Sequence, residues 1–177
     1  MALDNQKIIH RARHIRLLLL DVDGVLTDGR LYYGNSGEEI KAFDIQDGLG
    51  IKLLQRNGIQ VGIITGRSSE LLARRAGELG IELVVQGRED KLTALNEVLE
   101  TRDYRLEDIA FLGDDLPDLA VIRRVGLGVA VANARPVIAE HALWQTTAHG
   151  GRGAVRELAE LLLEAQDKLD TTLADYL

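Results

Sequence analysis

Cysteine is absent from this 177-residue sequence, which excludes disulfide staples, thiolate metal sites and thiol catalysis together. A reducing, cytoplasmic setting is the expectation. Aromatic residues are scarce, with one tryptophan, four tyrosines and two phenylalanines, so there are few platforms on which nucleic-acid bases stack. Basic residues are outnumbered as well: 21 Lys and Arg stand against 28 Asp and Glu, a net charge of −7, which opposes a phosphate backbone. Nucleic acid is not an expected partner. The apolar stretch Leu17 to Leu20 is bounded by Arg16 and Asp21, too short for a signal core of about 7–15 residues or a membrane span of about 20. No membrane partner is expected either. Fixed-period repeats, Asn-x-Ser/Thr sequons, low-complexity tracts and Pro/Ser-rich linkers are all missing, so residues 1–177 are read as a single domain.

What is present is a rhythm. Short apolar runs at 15–21, 59–65, 82–86, 109–113 and 127–131, each rich in Ile, Val or Leu, alternate with amphipathic stretches at 47–57, 68–79, 90–101 and 116–124. Strands joined by crossover helices have this form, so the pattern predicts an α/β fold with a doubly wound, Rossmann-like parallel sheet. Gly58, Gly80 and Gly126 stand where helices should stop. A last helix is expected over 153–169, where Val155, Leu158, Ala159, Leu162, Ala165 and Leu169 form one apolar stripe. One insertion, at about 30–44, breaks the alternation: two β-prone runs flank Gly34-Asn-Ser-Gly37, which predicts a β-hairpin. A lone hairpin is marginal and needs support from the domain or from another chain.

Ligands of open parallel sheets sit beyond the carboxyl ends of the strands, so the residues after each apolar run carry the chemistry. Asp21-Val-Asp23-Gly follows the first, Thr65-Gly-Arg67 the second and Gly113-Asp114-Asp115-Leu-Pro-Asp118 the fourth, while Lys91 opens the third crossover helix. A carboxylate at the end of a central strand is costly unless neutralised. Mg²⁺, which takes oxygen ligands and binds through one or two carboxylates plus substrate phosphate, suits Asp21 and Asp114. Of the pair Asp21 and Asp23, one can attack while the other handles protons. Thr65 and Lys91 offer a hydroxyl and a cation to phosphoryl oxygens. Taken singly, each residue has a plain structural reading: Asp115 and Asp118 as helix-start residues, Thr65 as a turn hydroxyl, Lys91 as a solvated helix residue. Their joint placement at one rim is what points to chemistry.

Other signals are weaker. His10 and His14 have helical ligand spacing but no partner ligand nearby in sequence, and a solvated N-terminal helix is expected there. Gly126-Leu-Gly128 lacks the third glycine of a dinucleotide fingerprint, and no P-loop occurs. The segment His149-Gly-Gly-Arg152-Gly153 reads equally as a loop leading into a helix or as an anion contact.

The motifs DVDGVLTDG, IITGR, Lys91 and GDDLPD resemble the four motifs of the haloacid dehalogenase superfamily. The resemblance extends over about residues 8–166 through the hairpin, VGLGVAVANA and HGGRGAVREL, and runs closest to its sugar-acid phosphatases of lipopolysaccharide synthesis. It implies a phosphatase acting on a phosphorylated sugar acid, either an eight-carbon 2-keto acid or a nonulosonate 9-phosphate. Asp21 is then the nucleophile, Asp23 the proton carrier, and Thr65, Arg67 and Lys91 the contacts to substrate. Mg²⁺ is then held by Asp21, the backbone carbonyl of Asp23, and Asp114, with Asp115 and Asp118 supporting its surroundings. The resemblance further implies no large cap domain and a homotetramer formed through the hairpins. A phospho-acceptor receiver has no use for Asp23, and a silent interaction module no need of Asp21 and Lys91 together.

Overall fold

In the computed structural model of the chain, residues 2–36 and 39–177 are described. Six parallel strands form one sheet in the order β5-β4-β1-β6-β7-β8: β1 (Leu17–Leu20), β4 (Gln60–Ile64), β5 (Leu83–Val85), β6 (Ile109–Gly113), β7 (Leu127–Ala130) and β8 (Trp144–Gln145). Strand β1 lies in the middle, with Leu17 opposite both Gln60 and Ile109. Its four leucines are all buried because strand geometry sends successive side chains to opposite faces, and both faces are covered. Leu18 and Leu20 enter one core with helices α1 (Ala2–Ala12), α2 (Ile45–Arg56), α3 (Glu70–Leu79) and α7 (Ala154–Ala165). Leu17 and Leu19 enter the other, with α4 (Lys91–Thr101), α5 (Leu116–Ile122) and α6 (Pro136–His141). This is the expected doubly wound α/β sheet, with no large cap among the described residues.

The chain leaves β1 toward β4 and β5, then returns to lay β6, β7 and β8 on the other side. The direction of winding therefore reverses between β1 and β6, the place where ligands of doubly wound sheets bind, outside the carboxyl ends of the strands. Asp21 and Asp114 follow these two strands directly.

The structure departs from the sequence reading in several places. The terminal helix expected over 153–169 is two: α7 ends at Ala165, Asp167 turns the backbone back at φ 57°, and α8 (Leu169–Ala174) follows. The Lys168 ammonium donates to the Asn57 carbonyl at 2.9 Å and the Asn57 amide to the Thr172 hydroxyl at 2.9 Å, docking the tail on the C-terminal end of α2. Helix α6 and strand β8, six and two residues long, were not anticipated; elements this short carry no periodic signal. The expected start of α2 at Asp47 is also displaced: Asp44 caps it, accepting from the Gln46 amide at 2.6 Å, and the buried Asp47 instead accepts from the Arg156 amide at 2.8 Å. Gly58 and Gly80 do take positive φ beyond their helices, but Gly126 does not; a Cβ there would lie 2.2 Å from the Glu107 carbonyl, so close approach is its reason. The N-terminal helix is only partly solvated, since Ile8 and Ala12 are buried against the sheet.

The hairpin is present as β2 (Tyr32–Tyr33) paired antiparallel with β3 (Glu39–Ile40), a two-stranded sheet of its own. Gly37, which ends its expected loop, and Glu38, which opens the second run, lie outside the described residues. Leu31, Tyr32, Tyr33 and Ile40 expose apolar surface there. Among the described residues no helix is long and apolar enough to cross a membrane.

Candidate active site

Asp21 is the residue after β1, and the strand ladder continues through it, its amide donating to the Leu112 carbonyl at 3.1 Å. Its side chain is therefore aimed by a strand paired on both sides. Lys91, at the first turn of α4, reaches across with its ammonium 2.6 Å from Asp21 and 2.6 Å from Asp118, and all three side chains are buried. Burial pulls the Lys91 pKa down, but Asp21 and Asp118 outweigh it and the net shift is upward. Lys91 is thus an ammonium locked between two carboxylates rather than a solvated helix residue.

Asp118 uses both oxygens. One receives Lys91; the other accepts the Asp114 amide at 2.9 Å and the Asp115 amide at 3.3 Å. Asp115 caps α5, its carboxylate accepting the Leu116 amide at 2.8 Å, and forms a reciprocal capping box with Asp118. These contacts give both residues the helix-start role open to them from sequence. They also fix the loop that presents Asp114.

Carboxylate oxygens of Asp21, Asp114 and Asp118 all lie within 4.8 Å of one another. Burial pushes the Asp114 carboxyl up to about 8, helped by Asp118, Asp21 and Asp115. Burial likewise raises Asp21 to about 6, with Asp118 adding and Lys91 opposing. Lys91 alone does not balance so much negative charge, and oxygen-only donors at this spacing suit a hard divalent cation. Because Asp118 is occupied by Lys91 and two amides, Asp21 and Asp114 are the carboxylates that fit such an ion.

Gly24 makes this packing possible. At φ 98° it adopts a backbone conformation that side chains disfavour, and a Cβ there would stand 2.2 Å from an Asp114 oxygen. The His149–Gly153 segment packs behind it, with the Gly151 amide donating to the Val25 carbonyl at 2.7 Å and the Gly150 amide to the Asn133 side chain at 2.9 Å. This glycine-rich segment therefore supports the loop that follows β1.

Thr65 directly follows β4 and is buried; its amide donates to the Val85 carbonyl at 2.9 Å, and its carbonyl accepts from the Arg88 amide at 3.0 Å, which pins the turn. Arg67, two residues on and half-exposed, points its Nε to Asp23 at 3.5 Å. The other Asp23 oxygen meets the ammonium of Lys41 at 2.5 Å. The Asp23 carboxylate therefore lies between Lys41 and Arg67, one oxygen toward each. Lys41 was not singled out from sequence. It follows the hairpin, far from the strand ends in sequence, and only an insertion folding back onto the rim brings it there.

Residues 81–158 match the model of a haloacid dehalogenase-like hydrolase family. The chain is 52% identical over 163 residues to the 3-deoxy-D-manno-octulosonate 8-phosphate phosphatase of Yersinia pestis, covering 92% of this chain and 87% of that protein. The corresponding Escherichia coli K12 enzyme is 50% identical over the same shares. Among solved structures, the Moraxella catarrhalis 3-deoxy-D-manno-octulosonate 8-phosphate phosphatase, in complex with magnesium ion, phosphate ion and KDO molecule, superposes with a TM-score of 0.95 at 45% identity, over 97% of this chain and 99% of that one. A strand-end carboxylate pair, a buried lysine and an aspartate cluster on a doubly wound sheet thus coincide with likeness along nearly the whole chain, and the chain belongs to the haloacid dehalogenase-like hydrolases, in the family of the 3-deoxy-D-manno-octulosonate 8-phosphate phosphatases.

Proposed function

We propose that this chain is a Mg²⁺-dependent phosphatase that hydrolyses 3-deoxy-D-manno-octulosonate 8-phosphate to the free sugar acid and inorganic phosphate, a step of lipopolysaccharide synthesis. The observation that carries the reading is the buried Lys91 ammonium bridging Asp21 and Asp118 with Asp114 alongside, at the switch point of the sheet. Asp21 is the nucleophile: its oxygen bonds to phosphorus as the bond from phosphorus to the sugar oxygen breaks. Asp23 gives the departing oxygen its proton. Water then attacks the aspartyl phosphate, its proton passing to Asp23, and phosphate leaves as Asp21 is regenerated. Lys91 and the Thr65 hydroxyl hold the phosphoryl oxygens in line, and Arg67 contacts substrate beside Asp23. Asp21, Asp114 and the Asp23 backbone carbonyl hold the metal, with Asp115 and Asp118 fixing the loop behind it. The ion, when bound, offsets the negative charge gathered between carboxylates and phosphoryl group.

The same reading takes residues 1–177 as one hydrolase domain, acting in the cytoplasm as a homotetramer whose hairpins meet. An open rim gains water exclusion only if a neighbouring subunit covers it.

Phosphate release from the 8-phosphate is the test. It should require Mg²⁺, stop in excess chelator, and fall to the chelator background in Asp21→Asn. Activity that survives chelation overturns the metal-assisted mechanism. Faster turnover of a nonulosonate 9-phosphate in the same panel overturns the substrate.

A further inference from the structure

We propose that Lys41 is a positioning residue for Asp23, aiming the proton-carrying carboxylate at the phosphoryl site. The inference rests on the reading of Asp23 as acid and base. Three observations carry it. Lys41 follows the hairpin strand β3, on an element whose apolar residues are exposed, yet its side chain is only 3% exposed. Its ammonium lies 2.5 Å from one Asp23 oxygen while Arg67 approaches the other at 3.5 Å. Asp21, two residues earlier, is held in the same manner by the buried Lys91 at 2.6 Å. Each carboxylate of the pair thus has its own lysine, from a different element on each side.

Burying an ammonium costs more than an apolar side chain of the same size, so an ion pair of this kind is a poor device for stability. What it supplies is geometry. A carboxylate held at both oxygens by groups from two elements cannot rotate freely about its side-chain torsions, and a proton carrier works only within hydrogen-bond reach of its target. With Lys41 removed, Asp23 keeps Arg67, which is half-exposed, and the second restraint is gone.

The consequence depends on the leaving group. A sugar alkoxide needs the Asp23 proton as its bond to phosphorus breaks; p-nitrophenolate departs without one. Both esters form the same aspartyl phosphate, and its hydrolysis needs Asp23 to accept a proton from water.

The experiment compares wild type, Lys41→Met and Lys41→Arg in single-turnover and burst kinetics with 3-deoxy-D-manno-octulosonate 8-phosphate and p-nitrophenyl phosphate. Since general acid–base assistance contributes typically 10²–10⁴-fold, phosphoryl transfer from the sugar ester should slow about 10²-fold in Lys41→Met while transfer from the aryl ester stays within about threefold. The aryl ester should then give a burst and a trappable phosphoenzyme. Lys41→Arg should recover part of the loss. Lys41→Gln, which keeps a polar shape without the charge, replaces Lys41→Met if that variant does not fold. In an Asp23→Asn background the Lys41 change should add nothing, because its effect passes through Asp23. Equal slowing of both esters without a burst, additive losses in the double variant, or wild-type kinetics in the uncharged variants would each overturn the proposal. The aryl arm is independent of the natural substrate: a wild type that leaves the sugar phosphate intact but hydrolyses the aryl ester defeats the substrate reading alone.

Discussion

Burial raises the Asp114 carboxyl further than that of Asp21, and its titration has a consequence measurable without substrate. Its carboxyl is raised from 3.8 to about 8, and Asp21 from 3.8 to about 6, burial being the first cause in both. An acid whose pKa rises on folding holds its proton in the native state after the unfolded chain has lost it. The stabilisation is therefore complete below about pH 4 and is lost as pH climbs through about 6 for Asp21 and about 8 for Asp114. In chelator, the melting temperature should fall between pH 5 and pH 8 (about 5 to about 8), and Mg²⁺ should restore it at the upper end. Asp114→Asn, which removes the titrating charge, should raise the metal-free melting temperature at alkaline pH by about 2–4 °C, the equivalent of about 1 kcal/mol for a chain of this size, and should abolish the response to Mg²⁺. A flat profile for the wild type in differential scanning fluorimetry contradicts the protonated-cluster account.

Among the elements, the loop after β1 and the helix α3 make opposite use of glycine. Gly24 at φ 98° stands where a Cβ would meet Asp114 at 2.2 Å, whereas Gly77, exposed within α3, has nothing within 4 Å of its would-be Cβ. Gly24→Ala should lower both melting temperature and phosphate release, because strain and a clash fall on the Asp114 carboxylate. Gly77→Ala should leave activity unchanged and stabilise by about 0.4–1 kcal/mol through helix propensity and a less disordered unfolded chain. Thermal melts and initial rates on the pair separate local packing at the site from general helix stability. Both glycines look alike in sequence; the close approach of Asp114 is what separates them. The same contrast explains the elements themselves. Strands β1, β4 and β6 were legible because burial on both faces demands unbroken apolar runs. The tail helix α8 was not, because a reversal at Asp167 and hydrogen bonds to Asn57 decide its course, and neither has a local signature.

At the scale of the whole molecule, the hairpin exposes Leu31, Tyr32, Tyr33 and Ile40, and Ile45 and Leu49 are exposed in the first turns of α2. Two short strands with such a surface are marginal alone, and burial of this surface against another chain is what the proposed tetramer would supply. Leu31→Asp combined with Tyr33→Asp should dissociate the proposed tetramer in light scattering. It should also reduce phosphate release about tenfold or more, since water re-enters a rim left uncovered. A wild-type chain that is monomeric and fully active at assay concentration sinks the shared-site account.

The sequence by itself determined the fold class and which polar residues stand at the carboxyl rim of the sheet, because parallel strands buried on both faces, and the polar residues that must follow them, are local patterns. Asp21, Asp23, Thr65, Lys91 and Asp114 could all be singled out by their places at the ends of runs or the start of a helix. Only the tertiary structure decided what each one touches. It placed Lys91 between Asp21 and Asp118 and gave both Asp118 oxygens to partners from α4 and its own loop. It turned Asp47 from an expected helix start into an acceptor for α7. It brought Lys41 from the hairpin onto Asp23. Pairings of this kind join residues many positions apart, and their energy depends on burial and approach distance, quantities that exist only once the chain has closed on itself.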